Sequence, residues 1–233
     1  MSSPQRINDS VLGAWERPVL AWLVVRLPGF VKPDHLTTLG VLGAVLTAAG
    51  YLLSWRSLSW LWLGCLGLLL NWLGDSLDGT LARLRNMDRP KYGFFIDHTT
   101  DLFTQTMTFV SLGMSPLAHF GVACLGLITF LIAFVYSLIT VHARGTMRIT
   151  YFHFGPTEIR ALLFLGNLLT LAIGVVNLRP WLPFLPGAVP ISVHDLGTSL
   201  LALAGITAIG VLATGDARAL RVEDPPPPRH GVE

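Results

Sequence analysis

The chain has 233 residues, of which 52% are hydrophobic and only 13% charged, and its mean hydropathy is +0.59. Soluble domains usually carry about 25% charged residues, so lipid rather than water is the expected solvent for most of this sequence. The formal net charge of +2 comes without a lysine- and arginine-rich block, which argues against a nucleic-acid groove.

In chain order, Met1 to Asn8 is polar, and the first apolar stretch is broken by Glu16, Arg17 and Arg26. No cleavable signal peptide is expected from such a start. Residues Asp9 to Phe30 alternate apolar and polar groups at helical spacing, with Trp15 and Trp22 among them. That pattern predicts an amphipathic helix lying in the membrane interface; the competing reading is a poorly formed first span.

Six apolar stretches follow, at about 34–54, 57–85, 92–113, 116–143, 157–177 and 191–214, each near the ~20 residues that cross hydrocarbon. Pro33, Pro116, Gly155 with Pro156, and Pro180 to Pro190 punctuate the short connections, and no internal repeat is evident. Cys65 and Cys124 lie within apolar stretches and read as small buried hydrophobes rather than a disulfide or metal site. The expectation is an all-α polytopic membrane protein with about six transmembrane helices and an N-terminal interfacial helix. Residues 1–32 form the cytoplasmic or interfacial segment, 33–219 the membrane domain, and 220–233 a disordered tail containing Pro225 to Pro228.

Basic residues set the orientation. Of the 16 Lys and Arg, only Arg56 and Arg179 fall on one predicted side, while all the others, including Arg83, Arg85, Arg89 and Lys91, fall on the other. The positive-inside rule then places both termini in the cytoplasm, at the inner membrane if the cell is bacterial.

The chemistry is concentrated where the second stretch ends and the third begins. Asp75 and Asp78 are three apart, and Asp97 and Asp101 four apart, so each pair shares a helix face. A short basic connection makes the two helices antiparallel neighbours, and the four carboxylates can converge on the cytoplasmic side. Carboxylates in a membrane segment repel one another and are costly to insert. A hard cation with oxygen ligands, Mg²⁺ or Mn²⁺, resolves both problems, and two such ions would fit four carboxylates and clamp a phosphate or pyrophosphate. Gly79 lets a substrate approach the backbone closely, and Arg83 can grip a phosphate oxygen. The bland alternatives are solvated helix-end acids and a cytoplasmic anchor at Arg83; paired spacing of all four aspartates argues against them.

These residues resemble a family signature. Asp75-Ser76-Leu77-Asp78-Gly79-Thr80-Leu81-Ala82-Arg83, followed by Gly93-Phe94-Phe95-Ile96-Asp97-His98-Thr99-Thr100-Asp101, is similar to the complete signature of the CDP-alcohol phosphotransferases. Every fixed position is present, Ala82 and Gly93 included, and the six-span pattern resembles the family from Pro33 to roughly Ala219. The resemblance implies that Asp75, Asp78, Asp97 and Asp101 hold two metal ions, that Asp101 is the general base, and that Gly79 and Arg83 contact the CDP moiety. Pro33-Asp34-His35-Leu36-Thr37 is similar to a Pro-Asn-x-x-Thr stretch near the family's nucleotide; Asp34 stands in place of the Asn, and Thr37 is retained. The implied reaction is attack of an acceptor hydroxyl on the β-phosphorus of a CDP-alcohol, with CMP leaving. The family's habit also implies a homodimer.

Two chemistries share that signature: CDP-diacylglycerol with a polar alcohol, or a CDP-amino-alcohol with diacylglycerol. Gly155-Pro156-Thr157-Glu158 loosely resembles the Gly-Pro-x-Glu stretch of choline and ethanolamine phosphotransferases, and also reads as a plain helix start. Arg144, Arg148 and Arg160 read as binders of a phosphorylated acceptor or, preferably, as cytoplasmic anchors. Rival classes are a membrane prenyltransferase of the aromatic type, which would carry its acid motifs on distant helices, and an ion-coupled transporter, which leaves Gly79, Ala82 and Arg83 unexplained.

Overall fold

A computed structural model describes residues 5–7, 12–148, 155–178, 180 and 190–226. Within them lie seven helices: α1 (Gly13–Val24), α2 (Pro33–Leu53), α3 (Leu61–Leu84), α4 (Pro90–Gly113), α5 (Phe120–Arg144), α6 (Pro156–Ile173) and α7 (Val193–Glu223). A 3₁₀ turn at Leu58–Trp60 leads into α3. The only strands among the described residues, β1 (Gln5–Ile7) and β2 (Thr146–Arg148), pair in parallel. Most of the Pro180 to Pro190 connection, Arg179, and the tail from residue 227 lie outside the described residues.

Four helices, α2, α5, α6 and α7, are long and apolar enough to cross a membrane, which marks the chain as an integral membrane protein. The helices α3 and α4, of 24 residues each, match the second and third apolar stretches but carry the aspartates. Proline opens α2, α4 and α6, where its missing N–H costs nothing. Gly145, at φ 66°, closes α5 in the left-handed conformation that glycine adopts without strain. The last helix runs to Glu223, past the expected end of the sixth stretch.

The closest helix pair is α2 with α3. Gly40, Gly43, Thr47 and Gly50 face Gly64, Gly67, Asn71 and Gly74, and a Cβ on Gly43, Gly50, Gly67 or Gly74 would collide with the opposing backbone. Small residues at this spacing let two helix backbones touch, as membrane helices often do. Asn71 Nδ2 donates 2.9 Å across the seam to the Gly40 carbonyl. The packing brings the start of α2 beside the end of α3, where the aspartates sit.

The helix α1 docks one face on this pair. Leu20 and Val24 are buried with Leu36, Leu77 and Leu81. Trp15, Val19 and Trp22 point outward, Trp15 being 78% exposed. A second core, of Tyr51, Leu61, Leu68, Leu112, Leu117 and Leu163, closes the opposite end of α2, α3 and α6. Cys65 is buried, Cys124 half-buried, and both are free thiols. On the far side, Arg144 of α5 bonds Asp216 of α7 at 2.5 Å and Glu223 at 3.4 Å, and Tyr136 donates to the same Asp216.

Candidate active site

Asp75 lies on α3 and Asp97 and Asp101 on α4. Their carboxylate oxygens come within 4.8 Å of one another. All three are half-buried, at the head of a cavity of about 800 Å³ that runs between α4, α5, α6 and α7. The cavity wall away from the acids is apolar, with Phe130, Phe134, Leu200 and Ile209 among its lining residues. His98, stacked on Phe94 at 4.0 Å between ring centroids, lines the same cavity beside Asp97.

The fourth aspartate of the signature, Asp78, stands beside this group and is held by hydrogen bonds. Asp78 Oδ2 accepts a 2.6 Å hydrogen bond from the Thr37 hydroxyl, and its Oδ1 accepts from the Gly79 amide at 2.5 Å. The acids therefore divide into a cluster of three and one carboxylate tied to the first turns of α2. An all-oxygen donor set of three carboxylates fits a hard divalent cation, Mg²⁺ or Mn²⁺, better than a soft one. The other signature positions lie on the same two helices, α3 and α4. Gly79 lies against Arg83, whose Nη1 would be 3.3 Å from a Cβ at that glycine. Arg83 is exposed and its Nη2 lies 3.4 Å from Thr80 Oγ1, Ala82 is half-buried, and Gly93 is open on the surface. Asp34, in the place of the resemblance's Asn, makes an exposed pair with Arg89, whose Nη2 donates to both carboxylate oxygens at 3.1 Å.

Three features were not placed here by sequence reasoning. Arg160 is no surface anchor: it is 4% exposed, its Nη1 donates to Asp75 Oδ2 at 2.7 Å, and its Nη2 stands 3.8 Å from Asp101 Oδ1. An arginine inside an apolar helical stretch is the available signal, since such residues face a bundle interior. Glu16 of α1 reaches over α3, accepting from Trp72 Nε1 and Ser76 Oγ at 2.8 Å each, with Thr157 of α6 also within reach at 3.3 Å. Glu158 accepts from the Gly155 amide at 2.8 Å and from the Leu12 amide at 3.0 Å. The Gly155 to Glu158 stretch is thus a capped helix start that also fastens α1. Of the other two arginines, Arg144 serves the α5–α7 contact, and the Arg148 side chain lies outside the described residues.

The CDP-alcohol phosphatidyltransferase family model matches residues 30–209. The chain belongs to that family. Membership sets aside the prenyltransferase and transporter alternatives. Cholinephosphotransferase 1 of Gallus gallus is 36% identical over 110 residues, which is 45% of this chain and 32% of that protein. The chain therefore spans about a third of the length of this curated relative. Among solved structures, the phosphatidylinositol phosphate synthase of Mycobacterium tuberculosis with CDP-DAG bound is similar in fold, with a TM-score of 0.53 at 19% identity. That likeness covers 92% of this chain and 98% of the other.

Proposed function

We propose that this family member transfers a substituted phosphate from a CDP-alcohol to an acceptor hydroxyl and releases CMP. The observation that carries the reading is the three-carboxylate cluster at the head of a large apolar cavity. A divalent ion, or two, held by Asp75, Asp97 and Asp101 with Asp78 beside them, would neutralise the donor's pyrophosphate and make CMP a tolerable leaving group. Asp101 lies one turn deeper along α4 than Asp97 and borders the cavity. It takes the proton from the acceptor hydroxyl as that oxygen attacks the β-phosphorus. Gly79, Ala82, Arg83 and Gly93 receive the cytidine diphosphate at the open rim, and Thr37 orients Asp78.

The apolar cavity suits a diacylglycerol group, which is the acceptor in one of the two chemistries and part of the donor in the other. Phe130, Phe134 and Leu200 would hold its acyl chains in either case, beside Asp101. The partial likeness to a cholinephosphotransferase supports the pairing of a CDP-amino-alcohol donor with a lipid acceptor.

In the membrane, α2 to α7 form six spans and α1 lies in the interface with Trp15 and Trp22 toward lipid. The outward Phe103 of α4, 67% exposed, faces lipid or a second copy. Residues 1–32 then form the interfacial segment and 33–219 the membrane domain; of the 220–233 tail, Leu220 to Glu223 still belong to α7. Both termini and the acid cluster face the cytoplasm, the side carrying Arg83, Arg85, Arg89 and Lys91.

Purified protein tests this directly when donor and acceptor pairs are supplied with Mg²⁺ or Mn²⁺ and CMP is measured. Release is expected with CDP-choline or CDP-ethanolamine plus diacylglycerol, and should vanish with EDTA and return with metal. Release only from CDP-diacylglycerol with polar alcohols would overturn the lipid-acceptor reading. No release from any pair would overturn the transferase reading.

A further inference from the structure

Arg160 lies one turn into α6, on the same buried face as Leu163 and Asn167. A guanidinium taken out of water is unfavourable unless its charge and its N–H groups are matched. Here the match is partial. Nη1 bonds Asp75 at 2.7 Å, but Nε and Nη2 are buried with no hydrogen-bond partner. Glu16, the next acid, is occupied by Trp72 and Ser76. The unmatched Nη2 is aimed at the acid cluster, 3.8 Å from Asp101.

Asp75 and Asp101 are also two of the three carboxylates positioned to ligate a cation. One pair of carboxylates therefore faces two claimants, a fixed guanidinium and a divalent ion, which repel each other at this range. A phosphate resolves the conflict, because guanidinium binds it through two parallel N–H groups.

We propose that Arg160 is a built-in counter-ion of the acid cluster that exchanges carboxylate for phosphate: it neutralises Asp75 and Asp101 until a divalent ion binds there, and then gives its free N–H groups to a phosphate oxygen of the cytidine diphosphate donor. The proposal rests on the transferase reading above. Its consequence is thermodynamic coupling. Metal alone binds weakly because Arg160 opposes it, nucleotide relieves the opposition, and each ligand strengthens the other by the same factor. The exchange keeps the site from holding metal firmly until a donor has arrived.

Full-length protein in detergent micelles tests this without turnover, with Mn²⁺ binding followed by electron paramagnetic resonance and CDP binding by calorimetry. Arg160→Gln should tighten Mn²⁺ measured alone by about tenfold and weaken CDP measured with Mn²⁺ by about tenfold, within the usual range of such couplings. A residue that merely holds α6 in place would weaken both. Arg160→Lys keeps the charge without the planar fork, so Mn²⁺ alone should bind as in wild type while CDP weakens several-fold. It carries the test if the glutamine variant does not fold. Unchanged or weaker Mn²⁺ binding in Arg160→Gln overturns the proposal, as does wild-type CDP affinity in either variant. Wild-type protein that binds Mn²⁺ but no CDP would sink the transferase reading and this proposal together, which separates the two failures.

Discussion

The Thr37 hydroxyl of α2 donates a 2.6 Å hydrogen bond to Asp78 of α3, joining two residues 41 positions apart at the edge of the acid cluster. The bond exists because the glycine seam between α2 and α3 lets the first turn of one helix lie against the last turns of the other. Hydrogen bonds to charged groups contribute roughly 1.5–3 kcal/mol. Thr37→Val, close in shape, should therefore raise the Mg²⁺ concentration for half-maximal activity by roughly tenfold or more. An activation curve indistinguishable from wild type would mean that Thr37 does not position Asp78 for metal.

The division between Asp78 and Asp101 is separable by kinetics. Asp101→Asn keeps size and one oxygen but removes basicity, and should lower turnover by about 10²–10⁴-fold with a smaller change in CDP-alcohol affinity. Asp78→Asn should weaken metal and nucleotide binding together. If Asp101→Asn loses affinity as severely as Asp78→Asn at saturating Mg²⁺ while bound-state turnover stays near wild type, Asp101 is a ligand and not the base.

The helix seam makes a stability prediction independent of activity. A Cβ at Gly67 would strike the Thr47 amide and the Gly43 carbonyl, whereas Gly121 of α5 has nothing nearby. Overpacking of this kind typically costs about 1–3 kcal/mol. Gly67→Ala should lower the thermal midpoint in detergent by several degrees, while Gly121→Ala leaves it unchanged or slightly raised because alanine is the better helix former. Equal midpoints for the two variants would show that the backbones are not in contact.

Orientation is testable by labelling. Arg89, between α3 and α4, and Arg56, between α2 and α3, are both exposed, and the buried Cys65 and half-buried Cys124 give a measurable background. A cysteine at position 89 should react with an impermeant maleimide only from the cytoplasmic side, and one at position 56 only from the other. The reverse pattern would invert the topology.

Much of this architecture follows from local sequence. The six apolar stretches, Pro33, Pro90 and Pro156 at helix starts, and the spacing of Asp75, Asp97 and Asp101 are each legible because helical periodicity is a property of a dozen neighbouring residues. The convergence of α3 and α4 is equally local, since the connection between Leu84 and Pro90 is too short to separate them. What tertiary structure alone decided lies between elements distant in the chain. Arg160 meets Asp75 across 85 positions, and Glu158 reaches Leu12 across 146. Thr37 of α2 holds Asp78 of α3 at the edge of the cluster, and the cavity is lined jointly by α4, α5, α6 and α7. No periodicity encodes which faces of separate helices meet. That choice depends on side-chain volume at the seams, above all the glycines of α2 and α3, and on which buried charge finds its partner.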